Sequence, residues 1–278
     1  MTLRAAVFQI YYNDETRRRV EPGFIGLDNT ASPDPGWYEF APILRYLDTE
    51  CLKDDIWYGF VSPKFRHKAQ CDAAELHRFL AGLPPEVEVA LFSPGWDQLC
   101  YFQNPWEQGE VWHPGLSAAM QAFLSHIRSP HAVSDLVTDI HSSVFSNYIV
   151  AKKRYWLAWQ SLAHALRDFI ATHPEWDQRV PYGQLHHAQP LKAFLQERLA
   201  SYLLATQHFE VAVCPHAHRV PIFQRLFPKG EEERRLLGLC DHFKRAFRQT
   251  AAAPWMQAYA ETRRLIAWAA PYGSTQKN

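Results

Sequence analysis

Four polar segments follow predicted strands, and their side chains are of the types that bind or transform polar ligands. They are Tyr11-Tyr12-Asn13, Ser62-Pro-Lys64, Ser93-Pro-Gly-Trp-Asp97 and Cys214-Pro-His216. Ligands of open α/β sheets bind in a crevice beyond the carboxyl ends of the strands. We therefore expect these four segments to border one binding crevice.

The stretch 96–114 combines aromatic, acidic and amide side chains without a helical or strand period. Trp96, Glu107 and His113 are of the kinds found in sugar sites, where rings stack on the sugar and polar groups bind its hydroxyls. Asp97 directly follows the third predicted strand, which places it for contact with a metal ion or a ribose. We interpret the stretch as a functional loop; the alternative is a lid packed by its own tryptophans.

The segment FSNYIVAKKRYWLAW, residues 145–159, has a polar pair at the entrance of an apolar strand. The amide of Asn147 can both donate to and accept from a sugar hydroxyl, and Lys152 begins the helix that follows. The alternative is that Asn147 satisfies local backbone groups.

A predicted helix over 190–204 carries Glu197 and Arg198 beside its apolar face. Burial raises the pKa of a carboxylate, as a general base requires, whereas a cationic neighbour lowers it, as in an ion pair. Two interpretations are therefore open: a catalytic carboxylate or a structural Glu–Arg contact.

Cys214, His216 and His218 are candidate ligands for a zinc-like ion, since thiolate and imidazole both bind such metals. No second ligand pair stands at a standard spacing. The histidines thus have three interpretations: metal ligands, a catalytic group at a strand exit, or ordinary surface residues.

Several well-known motifs are missing from the chain. It has no G-x-G-x-x-G after the first strand, no G-x-x-x-x-G-K-[ST], no H-E-x-x-H and no G-x-S-x-G. Dinucleotide and P-loop chemistry and most hydrolase templates therefore lack support.

Composition narrows the class of protein further. The formal net charge is +0 over 278 residues, so no nucleic-acid partner is indicated. Five scattered cysteines without a Cys-x-x-Cys pair indicate reduced thiols and a cytoplasmic location. No apolar run approaches the roughly 20 residues of a membrane helix, so we expect any membrane association to be peripheral.

Strands alternate with helices along the chain, which predicts an α/β sandwich with a mostly parallel central sheet flanked by helices. We expect strands at 5–12, 56–61, 87–93, 143–150 and 209–214, and helices at 37–47, 73–83, 117–127, 152–170, 190–204, 231–247 and 255–268. Residues 1–225 are expected to form the binding domain, and residues 226–278 a helical C-terminal extension of the same domain.

Five motifs occur in a fixed order within residues 5–220. They are Asp28-Asn-Thr, Trp37-Tyr-Glu-Phe-Ala-Pro-Ile-Leu, Asp55-Ile-Trp-Tyr-Gly-Phe, Phe145-Ser-Asn-Tyr-Ile-Val-Ala-Lys and Phe194-Leu-Gln-Glu-Arg-Leu. In this order they resemble a family of bacterial glycosyltransferases that assemble polysaccharides, including galactofuranosyltransferase-like domains of O-antigen and capsule synthesis.

This resemblance implies the GT-A fold, a Rossmann-like α/β sandwich that binds a nucleotide-sugar donor at its strand ends. It places Asp97 at the acidic motif of a Mg²⁺ or Mn²⁺ site, although the Asp-x-Asp of the family pattern is absent here. It makes Glu197 the base, and His216 or His218 the C-terminal histidine that joins Asp97 at the metal.

The resemblance and the strand ends together assign further residues to the two substrates. Those expected to bind the nucleotide-sugar are Tyr12, Asn13, Asp28, Asn29, Gly59, Lys64 and Lys152. Those expected to bind the sugar or its acceptor are Trp96, Glu107, His113, Asn147, Tyr148 and Arg198. Lys64, Arg66 or Lys152 would supply positive charge for the diphosphate.

The expected activity is transfer of a sugar from a nucleotide-sugar to a glycan or lipid-linked glycan of the bacterial surface, at the inner face of the membrane. Glu197 and Asp97 would be its catalytic residues. One alternative is a non-catalytic carbohydrate- or nucleotide-binding protein on the same fold, for which the missing Asp-x-Asp argues. The other is a metal-dependent hydrolase that uses His216 and His218.

Overall fold

A six-stranded sheet forms the centre of the protein. The computed structural model describes residues 4–182, 185–215 and 230–267. The strands are β1 (Ala5–Tyr11), β2 (Ile25–Asp28), β3 (Trp57–Val61), β4 (Val89–Leu91), β5 (Ile149–Ala151), β6 (Arg179–Tyr182), β7 (Leu185–Pro190) and β8 (Val211–Val213). The order in the central sheet is β2-β1-β3-β5-β4-β8, and β6 pairs with β7 in a separate hairpin.

The direction of β5 decides which residues meet at one edge of the sheet. β5 runs antiparallel to both of its neighbours, β3 and β4, whereas β1 is parallel to β2 and β3, and β4 is parallel to β8. The residues just before β5 therefore lie at the same edge as the residues just after the other strands. We call this the carboxyl edge.

Helices cover both faces of the sheet. They are α1 (Asp14–Arg18), α2 (Phe40–Thr49), α3 (Phe65–Ala69), α4 (Ala73–Ala81), α5 (Trp96–Tyr101), α6 (Pro105–Trp112), α7 (Leu116–His126), α8 (Lys153–Thr172), α9 (Leu191–Gln196), α10 (Leu199–Thr206), α11 (Glu231–Thr250) and α12 (Ala253–Arg264). Asp72 caps α4 through a capping box with Glu75, which explains why the helix begins there.

Alternating strand residues feed two separate cores. Phe8 and Phe60 face the larger core with α2 and α8, whereas Val7 and Val61 face the smaller core with α3 and α4. Trp156 lies in the larger core at 2% exposure. The high tryptophan content thus serves packing in part, because burying such rings excludes much apolar surface from water.

The C-terminal helices pack on α5 through a third apolar cluster that includes Leu99, Leu236, Cys240 and Tyr259. The α/β class, with its mostly parallel central sheet flanked by helices, is confirmed. In the part of the chain that the structure describes, no helix combines the length and apolarity needed to cross a membrane.

Several predicted element bounds are wrong. The stretch 96–114 is not a loop but contains α5 and α6; Asn104 caps α6 and Pro105 opens it. These helices are largely buried, so they lack the one-sided apolar period that would have revealed them. The helix expected over 190–204 is broken into α9 and α10. The strand expected over 143–150 is reduced to β5, and β2 and the β6–β7 hairpin were missed.

Candidate functional site

Seven polar side chains meet at the carboxyl edge of the sheet. They are Tyr12, Glu39, Lys68, Ser146, Asn147, Gln196 and Glu197, and we call them the glutamate cluster. Five separate parts of the chain supply them: the exit of β1, the start of α2, the end of α3, the entrance of β5 and the end of α9. Of the four strand-end segments predicted to border one crevice, the first contributes Tyr12 to this cluster.

Glu39 lies at the centre of the glutamate cluster. It immediately precedes α2, and the residue as a whole is partly exposed although protein atoms surround its carboxyl group. Burial raises the pKa of Glu39, and the charge of Glu197 raises it further, whereas Tyr12 and Lys68 act in the opposite direction. The net effect is a raised pKa, which is a common property of acid–base residues.

The backbone next to Glu39 is strained. Tyr38 has φ 46° and ψ −123°, a conformation that non-glycine residues rarely adopt. Asn29 donates from Nδ2 to the carbonyl oxygen of Tyr38 at 3.2 Å, and the Tyr38 hydroxyl donates to Oε1 of Gln189. These two hydrogen bonds fix the position of Tyr38 and therefore also that of Glu39, the residue that follows it.

Glu197 lies at the break between α9 and α10. Its side chain is 32% exposed, and Oε2 lies 3.5 Å from Nη1 of Arg198. Arg198 itself is 3% exposed and donates to the carbonyl oxygens of Phe194 at 2.9 Å and Pro105 at 3.1 Å. Arg198 therefore fixes the chain at the helix break, while the Glu197 carboxylate retains access to solvent.

Asn147, the polar residue at the entrance of β5, is held in an unusual backbone conformation. Ser146 and Asn147 have φ values of 62° and 55°, in the left-handed region that asparagine tolerates better than most residues. Asn147 donates from Nδ2 to Oε1 of Gln196 at 2.7 Å, and Lys68 donates from Nζ to Oγ of Ser146 at 3.0 Å. The turn thus joins Lys68 to the end of α9, next to Glu197.

Tyr12 of the cluster and the adjoining Tyr148 both have buried hydroxyl groups. Burial, followed by the charge of Glu39, raises the pKa of Tyr12 far above its usual value. Tyr148 is fully buried, and its hydroxyl lies 2.8 Å from Oγ of Ser62. Ser62 follows β3 and Tyr148 precedes β5, so this bond connects the exit of β3 to the entrance of β5.

The two glutamates differ in environment, and this difference determines what they can do chemically. Glu39 is the carboxyl with the raised pKa, and Glu197 is the more open one beside a buried guanidinium. Pairs of carboxyls whose surroundings differ in this way divide acid and base roles between them. The arrangement is suited to moving a proton to or from a hydroxyl group.

Asp97 occupies the second position of α5, just beyond β4 at the carboxyl edge. It is 4% exposed, and Oδ1 has no hydrogen-bond partner among the described residues. Burial raises the pKa of Asp97 to about 6, against the opposing effect of the N–H groups of Gln98 and of Asp97 itself. The interactions acting on Asp97 come from its own helix rather than from the glutamate cluster.

Of the three predicted metal ligands, Asp97 is the one that lies among the described residues. Within residues 4–182, 185–215 and 230–267, no group of three His, Cys, Asp or Glu side chains is placed to hold a metal ion. His216 and His218, the other predicted ligands, lie outside the described residues.

Some predicted donor-binding residues lie away from the cluster. Lys152 follows β5 at the opposite edge of the sheet, where Nζ donates to the carbonyl oxygen of Pro85 at 2.6 Å. Gly59 lies inside β3, and a Cβ there would be 2.7 Å from Cγ2 of Val150. Gly59 thus permits close packing of β3 on β5.

Other predicted donor-binding residues lie on the carboxyl edge but have local partners. Asn13 caps α1 through Thr16, Lys64 is exposed at the start of α3, and Asp28 is exposed and accepts from the Thr30 backbone N–H at 2.7 Å. The Thr30 hydrogen bonds hold the pKa of Asp28 below its usual value.

The predicted sugar-binding residues of 96–114 are tied into the packing of their helices. Glu107 contacts Nη1 of Arg263 at 2.7 Å, which joins α6 to α12. His113 stacks on Phe194 with ring centroids 3.5 Å apart, and Trp96 packs against the third apolar cluster. Of the substrate residues predicted by resemblance, Asn147 belongs to the glutamate cluster, while Tyr148 and Arg198 adjoin it.

Sequence reasoning did not single out Glu39 and Lys68. The signal for Glu39 was a lone carboxylate in the aromatic and apolar run 37–44, where a charged side chain must have a partner or a function. Lys68 gave no comparable signal, because it is one of several basic residues between 64 and 68.

Comparison of the chain with protein-family models, with curated proteins and with solved structures gave no match. The case for a function therefore depends on the chemistry of the glutamate cluster.

Proposed function

We propose that the protein is a glycosyltransferase that moves a sugar from a nucleotide-sugar donor to a hydroxyl of a glycan acceptor. The observation that carries the proposal is the meeting of Glu39 and Glu197 at the carboxyl edge of a mostly parallel sheet. That edge is where α/β proteins of this architecture bind their ligands. The bacterial polysaccharide enzymes that the sequence resembles act on such substrates.

Glu197 is the base in this proposal. Its carboxylate retains access to solvent and stands beside the bond between Asn147 and Gln196. A base must come within hydrogen-bond reach of the proton that it removes, and an exposed carboxylate at the end of a helix can do so.

The transfer is a substitution at the anomeric carbon of the donor. The acceptor oxygen forms a bond to that carbon while the bond to the diphosphate oxygen breaks, and the diphosphate leaves with the electron pair. The acceptor proton passes to Glu197.

Substitution of the base tests the proposal. Glu197→Gln keeps the size of the side chain but removes its basicity, and general-base loss lowers turnover by about 10²–10⁴-fold. The measurement is release of nucleoside diphosphate from a panel of nucleotide-sugars, with and without bacterial oligosaccharide acceptors. Affinity for the donor, followed by calorimetry, is expected to remain unchanged in the variant.

Glu86→Gln is the matched control, because Glu86 is exposed and lies three residues before β4 at the opposite edge of the sheet. It is expected to retain full turnover. Equal release of nucleoside diphosphate by Glu197→Gln and Glu86→Gln would show that Glu197 is not the base. Donor binding without release in the unaltered protein would instead favour a non-catalytic binding protein.

A further inference from the structure

We propose that the glutamate cluster is the acceptor subsite, that it takes an uncharged sugar through the sugar's hydroxyl groups, and that the donor diphosphate binds outside it. The inference rests on the proposed function and adds the substrate class that this part of the edge accepts. Its evidence is the charge, exposure and rigidity of the cluster.

The charges of the cluster favour a neutral ligand. Glu39 and Glu197 supply acidic groups, and Lys68 is the cation whose charge acts on Glu39. A diphosphate would instead meet two carboxyl groups, whose desolvation and repulsion disfavour an anion.

Two of the three cations predicted to stabilise a diphosphate, Arg66 and Lys152, are engaged elsewhere, and so is Arg198; the third, Lys64, is exposed at the start of α3. Arg198 is committed to backbone oxygens at the helix break, and Lys152 binds Pro85 at the opposite edge. Arg66 lies 3.7 Å from Glu21. Among the described residues, Lys68 is the cation that acts on Glu39 in the cluster, whereas phosphate recognition uses a surplus of positive charge.

The exposed members of the cluster are mainly hydrogen-bond acceptors. Glu39, Glu197 and Ser146 retain exposed surface, and each offers oxygen atoms to a hydroxyl donor. Tyr12 and Tyr38 are likewise only partly covered. Part-exposed aromatic rings beside carboxyl oxygens suit a sugar, whose C–H faces are apolar and whose hydroxyls donate.

The cluster is held in place before any ligand arrives. Asn29 fixes the strained Tyr38 next to Glu39, and Gln196 fixes Asn147 next to Glu197. Such preorganisation reduces the entropy lost when a flexible polyhydroxyl ligand binds. The two acidic groups therefore act as fixed acceptors of sugar hydroxyls.

Saturation-transfer NMR with a mixture of methyl glycosides of neutral hexoses tests binding directly. The unaltered protein is expected to transfer saturation to at least one methyl hexoside, and Glu39→Gln is expected to weaken that transfer. Loss of a charge-assisted hydrogen bond of about 1.5–3 kcal/mol corresponds to a loss of affinity of roughly 10- to 100-fold. UDP-glucose affinity, measured alongside, is expected to be equal in both proteins and in the Glu86→Gln control.

The outcomes separate this inference from the proposed function. If hexoside binding depends on Glu39 but no sugar transfer is found, the acceptor subsite stands and the proposed transferase activity is wrong. Sugar transfer in which Glu39→Gln raises the KM of the donor, but not that of the acceptor, would retain the transferase and overturn the subsite. Absence of Glu39-dependent saturation transfer to any methyl hexoside also overturns the subsite.

Discussion

Three carboxyl groups of the carboxyl edge differ in what surrounds them. Glu39 is influenced by a second carboxylate and by a lysine, Glu197 faces a guanidinium and solvent, and Asp97 is enclosed with one oxygen unpaired. A buried, unpaired carboxylate costs free energy of folding. Buried carboxyls with a raised pKa are often found at functional sites, so Asp97 is a candidate functional residue.

Asp97→Asn is expected to stabilise the protein at neutral pH. Because the folded pKa of Asp97 is raised to about 6, the folded state binds its proton more tightly than the unfolded state, and stability falls as pH rises from the unfolded pKa through the folded one. Asp97→Asn does not undergo this loss of stability. The loss amounts to about 3 kcal/mol, because each unit of difference between the two pKa values contributes about 1.4 kcal/mol. Urea unfolding at several pH values measures it.

The advantage of Asp97→Asn should vanish at a pH below both pKa values, where the carboxyl is protonated in both states. Asp168→Asn serves as the control, because the Asp168 side chain is 71% exposed. A variant that is less stable than the unaltered protein at pH 7 would contradict this account. Loss of turnover together with gained stability would identify Asp97 as a functional carboxylate.

At the scale of elements, the site depends on where regular structure ends. β5 begins only after the left-handed pair Ser146-Asn147, and α9 ends just before Glu197. At these interruptions the side chains face the carboxyl edge. A longer strand or helix would have placed the same side chains along the sheet. The bond between Asn147 and Gln196 joins the two interruptions.

Substitutions of Asn147 separate its backbone role from its side-chain role. Asn147→Ala and Asn147→Gly both lose the amide, but glycine takes a positive φ without the steric cost of a Cβ. The alanine variant should therefore be less stable than the glycine variant by about 1 kcal/mol, the lower end of the cost of a left-handed L-residue. Thermal and urea unfolding compare the two.

Both Asn147 variants should show the same change in acceptor affinity, because both lack the amide. Equal stability of the alanine and glycine variants would mean that the left-handed backbone at residue 147 is not a source of strain. Unequal acceptor affinity would assign the backbone conformation, rather than the amide, to ligand binding.

The sequence predicted the strands of the sheet more accurately than the interruptions of regular structure that form the site. Apolar runs rich in β-branched and aromatic residues located β1 and β3 correctly, because burial on both faces requires them. The left-handed turn at Ser146 and the helix break at Glu197 had no such pattern. Both depend on contacts with distant segments, such as Lys68 on Ser146 and Gln196 on Asn147.

At the scale of the whole molecule, the C-terminal helices brace the loop that leads to β5. Asp241 of α11 accepts from the N–H of Ile140 at 2.9 Å, and Arg248 donates to Oδ1 of Asp139 at 2.8 Å. Lys244, also on α11, donates to the carbonyl oxygens of Leu99 at 2.5 Å and Phe102 at 2.7 Å. One helix thus holds both α5, which carries Asp97, and the approach to Ser146.

The ion pair between Arg248 and Asp139 is central to this bracing. Asp139 is 2% exposed, so burial acts to raise its pKa, but the Arg248 charge and the Ser142 hydroxyl hold the pKa below its usual value. A carboxyl with a lowered folded pKa contributes stability that is present above its unfolded pKa. That stability is lost as pH falls through the folded pKa.

Arg248→Ala is expected to destabilise the protein by about 3 kcal/mol at pH 7, because it leaves a buried carboxylate without its main cation. The penalty should shrink as Asp139 becomes protonated at acid pH, and Asp139→Asn should relieve part of it in the double variant. Urea unfolding of the four proteins measures the coupling.

Arg235→Ala is the control, since Arg235 and its partner Glu232 are both more than half exposed and such pairs contribute less than about 1 kcal/mol. If Arg248→Ala were no more destabilising than Arg235→Ala, α11 would not brace the loop before β5 through this ion pair.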